Sequence, residues 1–276
     1  DRAVPSLAVL DQWQNYIMRF SGPGASERLA YMPSCVAVMD DTVRRDMVSE
    51  GFPAERILVS GHPRFEVLRD YVACTDRDAA RGKVAALGLE PDARIVTFVS
   101  EPARRFFAAE EGFDETSTLA ALLDCCRGWA DGGAIEVALK YHPRNIPEDF
   151  AEIAEPATES GLRLHHVADR IEPWDLLLAS DLVVGMISIL LVDSVLLGLP
   201  TLSAQLGGYN ADRCIPAKYG AIAVAREVEE LREVGGQLLE QGEFRRSYLQ
   251  RQRAFAVSRD GIVHVESKIY EFTGLC

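Results

Sequence analysis

Lys140, His142 and Arg144 alternate within KYHPRN, directly after the apolar run Ile135 to Leu139 (IEVAL). In an extended backbone every second side chain turns to the same side. The spacing therefore predicts three cations together at a strand's carboxyl end, with Pro143 stopping the strand there. An ammonium, an imidazole and a guanidinium fork are what a phosphate-bearing ligand needs; the bland alternative is a solvated rim. A second stretch, Asp181 to Gln205 (DLVVGMISILLVDSVLLGLPTLSAQ), offers related chemistry. It reads as a strand to Val184, a turn from Gly185 to Ser188, a helix to Leu197, then Gly198 and another apolar run. The turn brings Met186, Ile187 and Ser188 to a helix N-terminus, where backbone amides and the helix dipole favour an anion. Asp193 is the only charge in that apolar helix, so it needs a partner, and a ligand hydroxyl is one candidate. The bland alternatives make Ser188 a plain N-cap and Asp193 an exposed spot. Ser100 and Glu101, at the exit of RIVTFVS, and Gln205, at the exit of the last run, complete the predicted binding set.

Other polar groups lie just past apolar runs, where parallel α/β sheets hold ligands. Asp11, Trp13, Asn15 and Arg19 follow Pro5 to Leu10 (PSLAVL), although the spacing of Trp13, Tyr16 and Phe20 predicts packing against the sheet. Asp41 or Thr42 is expected to cap a helix running to Glu50. His62, in Gly61-His62-Pro63, is expected to be a half-buried structural histidine. Asp114 or Thr116 suits the cap of an amphipathic helix ending at Trp129, with Glu115 in its acidic first turn. His165 and His166 should face opposite sides of their strand and show no metal spacing.

These residues need a parallel sheet with crossover helices, because apolar strands joined through helices form βαβ units. Short runs at Pro5 to Leu10, Cys35 to Met39 and Arg56 to Ser60 give a first series of strands. Arg94 to Ser100, Ile135 to Leu139, Leu162 to Val167, Asp181 to Val184, the run ending at Gln205, and residues 220–225 give a second. The polar helical stretch between them reads as a linker over 73–92, so residues 1–72 form one lobe and 93–276 another. Glu148 to Gly161, Glu227 to Gln241, Phe244 to Val257 and Val263 to Phe272 are expected helices.

Composition narrows the ligand. The 276 residues carry 29 basic and 42 acidic side chains, a net charge of −13, which argues against general nucleic-acid binding or an anionic membrane surface. No apolar run approaches the ~20 residues of a membrane span, and the N-terminus lacks a signal peptide's basic and apolar regions. The six cysteines form no CxxC and no zinc spacing, which predicts reduced thiols in a cytoplasmic protein without a bound metal.

The second lobe, Arg94 to Phe272, resembles the donor-binding domain of GT-B glycosyltransferases. LKYHPRN resembles the His-Pro motif of bacterial sialyltransferases, Kdo transferases and CDP-glycerol polymerases. SDLVVGMISILLVDSVLLGLP resembles the strand–turn–helix that accompanies it. CVAVMDDTVRRDMVSEGFPAERILVSGHPRFEVL resembles the end of the first lobe in GT-B proteins, UDP-GlcNAc 2-epimerases included, with His62 where those have Asn. The resemblance implies an α/β, GT-B-like fold of two Rossmann-like parallel-sheet lobes, the first one truncated. It further implies a metal-independent glycosyltransferase with no cofactor, whose partners are a nucleotide-sugar donor (a CMP-linked one from the His-Pro resemblance) and a polysaccharide or glycolipid acceptor. A glycolipid acceptor leaves room for peripheral membrane association. His142 would contact the donor phosphate with Lys140, Pro143, Arg144 and Ser188 beside it, and Asp193 matches a Glu that holds ribose hydroxyls in the relatives. An acidic base has no secure match; Asp11, and Asp114 or Glu115, are the candidates. A UDP-sugar 2-epimerase or hydrolase, or a non-catalytic binding module, would share this fold.

Overall fold

The two series of apolar runs build two separate parallel sheets in the structure, a computed structural model that describes residues 4–130, 133–153, 162–168, 170–209, 213–255 and 267. The described chain falls into two compact units that divide between Cys74 and Thr75. In the first, β1 (Leu7–Val9), β2 (Cys35–Val38) and β3 (Ile57–Val59) pair in parallel in the order β1-β2-β3. The central strand, Cys-Val-Ala-Val, is buried throughout, as expected for a strand covered on both faces. Helix α1 (Asp41–Ser49) follows β2, and its cap is Asp40, one residue before the predicted pair. The Asp40 carboxylate accepts from the amides of Thr42 and Val43, each at 2.8 Å, so Asp41 and Thr42 lie inside the helix. After β3 comes α2 (Pro63–Cys74).

The second unit carries β4 (Arg94–Val99), β5 (Ile135–Lys140), β6 (Arg163–His166), β7 (Leu182–Gly185), β8 (Thr201–Ala204) and β9 (Val224–Ala225). Their order is β6-β5-β4-β7-β8-β9, and every pair is parallel. The chain thus lays β4, β5 and β6 outward to one edge, then returns to the other side of β4. That reversal puts a topological switch point between β4 and β7, where crossover connections diverge and leave a crevice beyond the strand ends.

The stretch expected as a linker contains α3 (Arg77–Ala85), capped by Asp76, whose carboxylate accepts from the Ala79 amide. This helix is fastened to the second sheet. Arg77 and Arg81 both reach Asp181 at 2.5 Å, Asp181 accepts from the Ile95 amide at 2.8 Å, and Lys83 pairs with Asp175 at 2.7 Å. Helix α4 (Glu115–Trp129) buries Leu119, Leu122, Leu123 and Cys126 along one face, as its spacing predicts. Helices α5 (Pro173–Ala179) and α6 (Ile189–Leu196) flank β7, and α7 (Val228–Leu239) and α8 (Glu243–Arg253) close the described part of the unit. The expected acidic helix opens as a 3₁₀ turn, Pro147–Phe150, and is helical over 151–153; its remainder, and the helix expected from Val263, lie outside the described residues apart from Ser267. The five described cysteines are free thiols. Among the described residues no helix is long and apolar enough to cross a membrane, and no group of His, Cys, Asp and Glu could hold a metal ion.

Candidate functional site at the carboxyl edge of the second sheet

Three strand exits align at the switch point. Val99 of β4 is in register with Lys140 of β5 on one side and Gly185 of β7 on the other. Beyond that level the chain leaves the sheet as Ser100-Glu101, Tyr141-His142 and Met186-Ile187-Ser188, so most of the predicted binding residues gather on three neighbouring exits. Ser100 is 1% exposed; its amide extends the ladder to the Lys140 carbonyl at 2.9 Å, and its hydroxyl has no partner among the described residues. Glu101, partly buried, spans the switch point, and its carboxylate accepts from the Ile187 amide at 2.8 Å. Burial is the main influence on that carboxyl; the Ile187 amide and the charge of Arg213 oppose it, Glu115 adds to it, and the pKa rises to about 7.

Ser188 caps α6, its hydroxyl accepting from the Leu190 amide at 3.4 Å, so the N-cap role is real and the residue is buried. Met186 and Ile187 point their side chains into an apolar cluster with Ala103, Phe107 and Phe113, leaving only their backbone for polar contact. Ser203 donates to the Met186 carbonyl at 2.6 Å, and the buried Gln205 side chain donates to Ser203 at 2.9 Å. Gln205 therefore braces the turn from behind.

His142 sits on the β5 exit, half-buried. Its Nδ1 accepts from the Arg144 amide at 3.1 Å, which leaves the proton on Nε2 and makes that atom a donor. Burial first, then the neighbouring charges of Arg144 and Lys140, hold its pKa below the ordinary value. At neutral pH the imidazole is an uncharged N–H donor.

The expected row of three cations does not form. Pro143 and Arg144 make a turn closed by the Asn145 amide on the His142 carbonyl at 2.9 Å, which breaks the alternation after Lys140. Lys140 is 5% exposed and its ammonium donates to the Ala168 carbonyl at 2.8 Å. Arg144 is exposed, with its guanidinium 5.5 Å above the Phe106 ring. The two still act on His142 through their charge, but they do not form a fork with it.

Asp193 is fully buried, and its carboxylate accepts from the Trp174 indole on α5 at 2.8 Å. A protein donor thus supplies a partner that a buried carboxylate requires, and the exposed position is ruled out. Asp114 is the N-cap of α4. Burial would raise its pKa, but hydrogen bonds from the hydroxyls and amides of Thr116 and Ser117 outweigh that and hold it low, so it is a poor base. Glu115 is 2% exposed and accepts from the Arg104 amide at 2.8 Å, which commits it to the loop after β4.

In the first unit, Asp11 is exposed, 3.9 Å from Arg19. His62 is more buried than predicted, at 6% exposed. It clusters with Trp13 (centroids 5.6 Å apart) and Phe65 (4.6 Å), which also lie 5.8 Å from each other, and its Nε2 donates to the Asp11 carbonyl at 3.2 Å. Its Nδ1 accepts from the Arg64 amide at 3.1 Å, the same turn that His142 makes with Arg144. The tripeptide His-Pro-Arg recurs at 62–64 and 142–144, a signal legible in the sequence. One copy is walled in by rings and the other is half open.

Sequence reading did not connect the loop after β4 with the loop after β8. Gly112 (φ +84°) and Gly207 (φ +85°) pack backbone to backbone: a Cβ on Gly112 would lie 2.8 Å from the Gly207 carbonyl, and one on Gly207 2.9 Å from the Gly112 carbonyl. Tyr209 donates to the Ala109 carbonyl at 3.1 Å, and Arg213 pairs with Glu111 at 2.7 Å. The two loops thereby flank the Glu101 side of the switch point.

No family model matches the chain, and no curated protein matches it. Solved structures do. The chain is similar in fold to a Listeria monocytogenes protein assigned to the UDP-N-acetylglucosamine 2-epimerases, with a TM-score of 0.67 and 16% identity over 98% of this chain and 68% of that one. It is similar to the UDP-GlcNAc 2-epimerase of Neisseria meningitidis bound to UDP-GlcNAc, with a TM-score of 0.65 and 12% identity over 99% and 70% of the two chains. For Anabaena Alr3699/HepE in complex with UDP and glucose the values are 0.59 and 16% over 98% and 71%. Against the wall teichoic acid polymerase TagF this chain spans about half that protein's length, at a TM-score of 0.51 and 17% identity. At such identities the likeness is one of fold, and the fold is α/β and GT-B-like, with Rossmann-like parallel sheets.

Proposed function

We propose that the second unit binds a nucleotide-activated sugar at the β4/β7 switch point and that the chain belongs to a GT-B-type glycosyltransferase acting on a glycan or glycolipid acceptor. The observation that carries this reading is His142: a neutral imidazole on a strand exit, its tautomer fixed by the Arg144 amide so that Nε2–H is free to donate. Nε2–H and the Ser188 end of α6 would stabilise the charge that develops on the departing phosphate, while Lys140 and Arg144 supply positive potential at a distance. Such groups can carry that charge without a metal ion. Of the acidic candidates for the base that takes the acceptor's proton, Asp11 keeps an exposed carboxylate, whereas Glu115 and Asp114 are committed to local hydrogen bonds.

A second reading, a UDP-sugar 2-epimerase or hydrolase, is favoured by the two epimerases among the structures of similar fold. Product analysis separates the two. With a nucleotide sugar that the protein binds, transfer requires an added acceptor, whereas the second reading expects an isomerised or free sugar without one.

A further inference from the structure

The turn between β7 and α6 carries an anion of the protein's own. The Glu101 carboxylate accepts from the Ile187 amide, one residue before the Ser188 cap. Glu101 as a residue is partly buried, while its carboxylate is turned inward onto that amide. The residue before it, Ser100, is 1% exposed with a hydroxyl unpartnered among the described residues. The charges facing Glu101 come from two other elements. Arg213, after β8, favours its ionised form but is shared with Glu111 and lies 5.9 Å from the Phe107 ring; Glu115, at the start of α4, opposes ionisation and is itself held by the Arg104 amide.

We propose that Glu101 is a positioning residue: it holds the Ile187 amide in place for a phosphoryl or sulfuryl oxygen and gives way to that oxygen by taking up a proton. The balance is one proton from solvent onto a Glu101 oxygen for each dianion seated on the turn, with no other bond made or broken. Naming the physiological anion as a nucleotide sugar rests on the function proposed above; the exchange of one anion for another rests on the turn alone. The carboxyl titrates at about 7, so binding should weaken as pH rises through that value, by up to about tenfold per unit while a full proton is taken up. Burial and the charges of Arg144 and Lys140 hold the His142 pKa below its ordinary value, away from the rise above pH 7.

The test is calorimetric titration of the whole chain at pH 6, 7 and 8 with two probes that do not titrate near 7, inorganic sulfate and UDP-GlcNAc. The wild type should lose affinity several-fold between pH 7 and 8, and Glu101→Gln should be flat and match the wild type's low-pH affinity. A flat wild type, or an E101Q slope equal to the wild type's, would overturn the proposal. If sulfate follows the pattern and UDP-GlcNAc does not bind, the proposal stands and the UDP-sugar form of the functional reading fails. If neither probe binds, the proposal fails. Should E101Q not fold, proton uptake is read on the wild type from buffers of different ionisation enthalpy: uptake of most of a proton per sulfate at pH 7.5 supports the exchange, and none overturns it.

Discussion

His142 and Asp193 show how the surroundings of a side chain decide its role. His142 is uncharged because burial and two nearby cations disfavour its protonated form, and its Nε2–H has no protein acceptor among the described residues. His142→Ala should therefore lower turnover by roughly 10²–10³, the size of one lost oxyanion-type donor, with little change in Tm. Because its folded pKa lies below the ordinary value, the neutral form persists down to the lowered pKa. The contribution of His142 to a pH–rate profile should be level from pH 7 upward and change only below about 6.5; a change centred at or above 7 in the wild type that vanishes in H142A would contradict this. Asp193→Ala, by contrast, removes the acceptor of the buried Trp174 indole. A loss of about 1–3 kcal/mol is expected, read as a lower denaturation midpoint, with nucleotide affinity unchanged in the folded fraction. A large loss of affinity at unchanged stability would return Asp193 to the ligand site.

At the level of elements, the strand exits depend on how the loops and helices behind them are tied. Gly112→Ala would force a Cβ at positive φ against the Gly207 carbonyl, a cost on the order of 1–3 kcal/mol; the measurable result is a lower Tm. Asp181→Ala strips Arg77, Arg81 and the Ile95 amide of a shared acceptor and should destabilise the unit by about 2–3 kcal/mol in urea. The strands were legible in the sequence because each is an apolar run bounded by Gly, Pro or Asp, and α4 because its leucines recur at helical spacing. The cation row was not, because the alternation argument assumes an extended backbone, whereas the strand ends at Lys140 and the chain turns at Pro143-Arg144. Asp193's need for a partner could be read, but not that Trp174 on a different helix meets it. The Glu101–Ile187 bond, 86 residues apart in the chain, follows only from the strand order at the switch point. The recurrent His-Pro-Arg could be seen in the sequence, whereas the rings that wall in His62 and leave His142 half open come from tertiary packing.

For the whole molecule, composition and fold constrain the ligand together. On a chain of net charge −13 an anion site must rest on local donors, and the second sheet carries such groups on three neighbouring strand exits: the Nε2–H of His142 after β5, the hydroxyl of Ser100 after β4 and the Ser188 end of α6 after β7. The solved structures of similar fold show a GT-B-like fold for the chain and nothing finer about its site. Nucleotide binding is the claim on which transfer, epimerisation and proton-coupled anion exchange all depend. Its most direct measurement is a thermal-shift series with CMP, CDP, UDP and GDP and with their sugar conjugates, on the wild type and His142→Ala. A ligand that binds only the folded state raises Tm by mass action. The account predicts that one nucleotide class raises the wild-type Tm in a concentration-dependent way and that H142A loses most of that shift. Absence of any shift up to millimolar concentrations, or an equal shift in H142A, would contradict it.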